Sequence, residues 1–128
     1  MALTLPTLSR NAMVDALTAR INSGTSLGKL NIYDAGKAHL LVTCLFANPA
    51  FSAAVTGVGT AHTIADGTAV ASYTAAVAEI TDGAGSPADV ITGLVVGAGS
   101  GDISLNSTTI TSGDVVRITS MTITQPAS

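Results

Sequence analysis

The chain has no tryptophan and only two tyrosines and two phenylalanines among its 128 residues, so large rings supply little of its core. Apolar burial must come from Val, Ile, Leu and Ala, and the β-branched members of that set suit pleated sheets. Charge is equally scarce, at 10% of residues against about 25% in an average soluble domain. That deficit predicts a surface partly covered by partners, and self-assembly is the simplest cover. The five basic residues are scattered at positions 10, 20, 29, 37 and 117 in a chain of net charge −3, which leaves no electrostatic footprint for nucleic acid. Cys44 is the single cysteine and has no internal partner for a disulfide. Residues 90–98 are the nearest approach to a long apolar run and are interrupted by Thr92 and two glycines, so no membrane-spanning helix is expected. The opening MALTLPTLSR lacks a basic flank and a sustained apolar stretch, so it does not read as an export signal.

What is present reads as one domain. Residues 1–8 form an N-terminal arm, and residues 9–128 form the domain, beginning with a helix over 9–22. In that helix Ala12, Met13, Ala16, Leu17 and Ile21 fall near one face, which predicts their packing on a sheet. Thr7 or Ser9 is placed to cap the start and Gly24 to end it. From Lys29 onward the apolar period becomes 2. Strands are expected over 29–33 and 40–46 with a hairpin turn at Asp34–Lys37, then over 57–64, 70–80 and 89–96, in a short pair around Ile103 and Ile110, and over 115–124. Asp66-Gly67, Asp82-Gly83, the run 97–101 and Ser112-Gly113 read as turns, and residues 50–59 as a crossing loop with Phe51 tucked inward. One helix ahead of many short strands indicates a mainly β fold: an antiparallel β-sandwich, jelly-roll or Ig-like, with one N-terminal α-helix. The expected core is Leu17, Ile21, Leu30, Ile32, Leu40, Val42, Val77, Val95, Val116 and Ile118.

Chemistry-bearing residues do not group. His39 and His62 show no metal spacing, and His39 has no acidic neighbour within three positions. Cys44 shares a strand face with Leu40, Val42 and Phe46 and reads as a buried thiol. Glu79 is the only glutamate, and Asp34, Asp66 and Asp82 sit where an aspartate bonds the backbone of a turn. Asp82, Asp89 and Asp102 are the candidates for a loop calcium site, without supporting ligand spacing. The glycine run 97–101 lacks the Lys-Ser/Thr of a phosphate loop and precedes a strand pattern, so it reads as a flexible hairpin connection. No catalytic, metal or cofactor residue is assigned. Leu3, Leu5, Pro6 and Leu8 are assigned to a subunit interface, because an extended apolar arm has little reason to face water.

Several short motifs together resemble a group of small virion structural proteins of tailed bacteriophages, described as head decoration, cement or tail-associated proteins. They are the Leu5-Pro6 start before an Ala-rich helix, GKLNIY at 28–33, Asn48-Pro49-Ala50-Phe51, the Gly57–Ala61 element and the ending Ile123-Thr124-Gln125-Pro126-Ala127-Ser128. The resemblance implies a non-enzymatic protein without cofactors, made in the host cytoplasm and carried on the capsid exterior. Its partners would be itself, as a homo-oligomer with a trimer among the options, and the major capsid protein, with neither nucleic acid nor membrane. A tail or head-to-tail connector position is the alternative. A glycan-binding sandwich is a third reading, with Tyr33 and Tyr73 as its only obvious stacking candidates.

Overall fold

The computed structural model describes residues 4–23, 26–84 and 88–125, with the side chains of residues 119 and 120 left aside. The helix α1, Thr7–Ala19, starts two residues earlier than expected, so Leu8 belongs to the helix and not to an arm. Pro6 stands at the cap with φ −60°, and its carbonyl accepts Arg10 N at 3.0 Å. No side chain caps the amides; the Thr7 hydroxyl instead accepts Arg10 Nη2 at 3.0 Å. The chain then tightens into a 3-10 turn, Arg20–Asn22. Gly24 lies outside the described residues. Past this turn the Asn22 side chain ties the neighbouring chain together, donating to Ala47 O at 2.8 Å and accepting Gly28 N at 2.9 Å.

The strands are β1 Lys29–Tyr33, β2 Leu40–Leu45, β3 Val58–Thr60, β4 Gly67–Thr68, β5 Tyr73–Thr74, β6 Val77–Thr81, β7 Asp89–Ala98, β8 Ile103–Leu105, β9 Thr109–Ile110, β10 Val115–Val116 and β11 Ile118–Thr124. The protein is mainly β with one N-terminal helix. Seven strands form a curled sheet in the order β2-β1-β6-β7-β8-β11-β3, and β10-β4 and β5-β9 are two-stranded ribbons. Strand β7 joins the two halves of the sheet, since its first part pairs with β6 and Val96–Ala98 pair with β8. Both halves contribute to one core, which joins Leu30, Ile32 and Ile80 to Ile103, Leu105 and Met121.

Several local expectations change. The β7–β8 pair is parallel, so the sheet is not antiparallel throughout, and the glycine run between them is a double reversal instead of a hairpin. Gly99 (φ 74°) and Gly101 (φ 82°) adopt the left-handed conformations that fold the chain back, and a Cβ at Gly101 would meet Val95 O at 2.8 Å. Asp102 locks the arch: its Oδ2 accepts Val95 N at 2.8 Å, while its own N donates to Val95 O at 2.8 Å. Ile103 and Ile110 are not partners; Ile103 pairs with Met121 and Val96, and Ile110 with Tyr73. Asp66-Gly67 leads directly into β4, where a Cβ on Gly67 would sit 2.5 Å from Val42 Cγ2.

The core differs from expectation where the alternation breaks. Ile21, Leu30, Ile32, Val42 and Val116 are buried, whereas Leu40 is 40% and Val95 55% exposed. Leu17, Val77 and Ile118 are half-buried. In β2 the register jumps from Ile32↔Val42 to Tyr33↔Leu40. This bulge turns Leu41 and Val42 both inward and Leu40 outward. In β7 the register steps from Ala78↔Leu94 to Ile80↔Ile91 around Gly93 (φ 73°), and the extra residue shifts the parity that placed Val95 inside. Phe51 is buried as expected, with its ring centroid 5.9 Å from that of Phe46.

Candidate functional site

Helix α1 is rotated relative to its apolar pattern. Val14 (2% exposed), Thr18 (9%) and Ile21 (0%) face the domain, while Ala12, Met13 and Ala16 face solvent. The cause is a set of contacts made by the polar side chains. Asn11 Oδ1 accepts Gly57 N at 2.8 Å, Asp15 Oδ1 accepts Ala54 N at 2.9 Å, and Arg10 Nη1 donates to Thr56 O at 3.3 Å. These bonds hold the helix to the loop before β3, where Gly59 lets it approach: a Cβ there would lie 2.9 Å from Val14 Cγ1. Polar side chains thus bind the helix to its own domain, and an apolar face looks outward. Of the interface residues expected from the sequence, Leu8 is 82% exposed, Pro6 is exposed and Leu5 half-buried. Leu3 lies outside the described residues.

Elsewhere charges are turned toward each other. At the β1–β2 turn, Lys37 Nζ lies 2.5 Å from Glu79 Oε2, Tyr33 donates to Glu79 Oε1 at 3.0 Å, and Lys37 Nζ stands 5.1 Å from the Tyr33 ring centre. Burial, then the bond to Glu79, raises the Tyr33 phenol pKa, and the Glu79 bond raises that of Lys37. Beside them Asp34 binds His39 twice at 2.7 Å, through the ring Nδ1 and the backbone N, which holds the Asp34 carboxyl below its ordinary range. The acidic partner of His39 lies five residues back, across the turn. Tyr73 stacks on the His39 ring at 3.9 Å. Asp66 pairs with Arg117 at 3.0 Å and does not bond a turn, which corrects that expectation. Asp82 does serve its turn, accepting Ala84 N and Ala88 N at 3.1 Å.

Cys44 is buried, and desolvation pushes its thiol up to about 11. Among the described residues no three of His, Cys, Asp and Glu gather as metal ligands. A groove of about 380 Å³ runs between α1 and residues 48–53, with Asp15, Asn48, Phe51 and Ser52 in its walls. A second of about 270 Å³ holds His62 and the Asp66–Arg117 pair over Ile64 and Met121. No helix among the described residues is long and apolar enough to cross a membrane. Large apolar side chains are exposed beyond α1 as well, with Val70 at 68%, Val115 at 62% and Leu40 at 40%. Val70 N donates to Leu41 O, and Val115 pairs with Thr68. Comparisons with protein-family models, curated proteins and solved structures find no match to this chain.

Proposed function

We propose that the chain is a non-enzymatic structural protein of a virion, a decoration or cement protein on the exterior of a tailed-phage head that binds itself and the major capsid protein. The observation that carries this reading is the outward apolar face of α1, led by Leu8 at 82% exposure, on a chain with 10% charged residues. The ion pairs Lys37–Glu79 and Asp66–Arg117 neutralise several of the few charges within the chain, which leaves contact surfaces able to dehydrate cheaply. Each copy would bury on the order of 800 Å² against neighbours, and an oligomer engaging several shell subunits at once turns that modest contact into strong attachment.

The test uses particles assembled without the protein. They should form but rupture at lower temperature, and adding the purified chain should restore their tolerance. Equal rupture temperatures with and without it would reject the cement role. Copy number per virion separates the neighbouring reading: hundreds accord with a head lattice, six or twelve with a tail or connector position.

A further inference from the structure

We propose that copies of this chain associate through α1, with the helices parallel about a rotation axis, Leu8 of one copy packing on Met13 of the next and Asp15 pairing with Arg20 of the next. The proposal rests on the self-binding part of the functional reading and not on the shell. Successive residues turn by 100° on a helix. With Val14 at the centre of the inward face, the outward face is centred on Ala12 and Ala16, with Ser9 and Ala19 on either side of them. Leu8 and Asp15 form one of its flanks, and Met13 and Arg20 the other. Each flank pair, 8 with 13 and 15 with 20, is separated by five residues. When two helices run parallel, a residue on one flank lies opposite the residue five further along on the facing flank of the neighbour, the spacing by which coiled coils pair their flanking charges. That register brings apolar against apolar and acid against base.

Antiparallel helices would instead place each flank against its own copy, setting Arg20 near Arg20 and leaving Asp15 without a base. The groups required are available. Leu8 is 82% and Met13 46% exposed. Arg20's guanidinium donates no hydrogen bond to the described residues, and its charge acts at longer range on Asp82. Asp15 uses Oδ1 for Ala54 N and accepts no bond from them at Oδ2. Asp15 is the one carboxylate on α1, and Asp82 is near enough to Arg20 to feel its charge, so Arg20 lies between an acid of its own chain and the acid offered by the next copy. The alanines between the flanks let two helix backbones approach closely. One helix of 13 residues is about 20 Å long and offers less than the roughly 800 Å² per partner of a stable pair, so the association should be weak in solution.

The experiment oxidises the full chain carrying both Leu8→Cys and Met13→Cys at about 100 μM with glutathione disulfide, beside each single variant. The two positions lie on opposite flanks of one helix and cannot bridge within a chain, and buried Cys44 stays out of the exchange. Covalent multimers should form at least tenfold faster in the double variant than in either single one. Equal cross-linking in the single variants would overturn the parallel register, and no cross-linking would overturn the association. In sedimentation, Arg20→Glu should weaken self-association about tenfold, and so should Asp15→Asn, whose Oδ1 still accepts Ala54 N while the charge is lost; unchanged mass for Arg20→Glu would also overturn the pairing. A chain that does not cross-link yet restores shells rejects this inference alone, and one that cross-links but binds no shell rejects the shell reading alone.

Discussion

Replacing Val14 by alanine tests the rotation of α1 directly. Val14 is 2% exposed and faces Gly59, with Phe51 close behind it. The substitution removes two methyl groups, about 0.8 kcal/mol each in transfer energy. It also leaves a gap of about 50 Å³ which, at about 24 cal/mol per Å³, adds roughly 1 kcal/mol if the walls do not close. They are poorly able to close, because one wall is the β3 backbone and Asn11 and Asp15 fix the distance between helix and loop. Alanine's better helix propensity returns about 0.5 kcal/mol, for a net loss of about 2 kcal/mol. In a domain of 128 residues that corresponds to a fall of about 6–10 °C in Tm. The assay is urea or thermal unfolding at low micromolar concentration, where self-association contributes little, with Met13→Ala as the control. Met13 is 46% exposed, so its truncation should change stability by less than about 0.5 kcal/mol. A loss of about 2 kcal/mol at Met13 with little at Val14 would refute the observed rotation and restore the face expected from periodicity.

Gly83→Ala should cost about 3 kcal/mol, because its Cβ would lie 1.6 Å from the Ser26 carbonyl oxygen, a backbone atom held by the Ser26 N–H bond to Gly83 O; denaturant midpoints check this. The carboxyls of Asp34, Asp66 and Asp82 are all held below their ordinary range, by His39, by Arg117 and by the Ala88 and Ala84 amides. Depressed folded-state values stabilise above the unfolded pKa and lose that contribution as pH falls through the folded values. Stability should therefore be flat from neutral pH to about 5 and fall below about 4, and Asp82→Asn should flatten the acid limb of a Tm–pH curve. Cys44, with its thiol raised to about 11, should resist a disulfide reagent at pH 8 in the native protein and react at once in denaturant.

The residues alone determined that the chain is β-rich behind one helix. Period-2 alternation over Leu30 and Ile32, the hairpin turn between β1 and β2, and buried Phe51 are local properties, written in the spacing itself. Leu8, expected in an extended arm, instead stands in the first turn of α1 and is 82% exposed. Tertiary structure decided the rest. Which face of α1 turns inward depends on Asn11 and Asp15 meeting amides at Gly57 and Ala54, about 40 residues away, and those bonds outweigh a modest difference in apolarity between the faces. Bulges at Leu41 and Gly93 reverse the parity of alternation, so a pattern read through them assigns Leu40 and Val95 to the wrong side. The stacking of Tyr73 on His39 exists only because segments distant in the chain meet, and the parallel β7–β8 pair depends on the arch that Asp102 closes against Val95. Spacing fixes which residues can share a face, and only packing chooses which face is covered by the chain itself and which is left for another molecule.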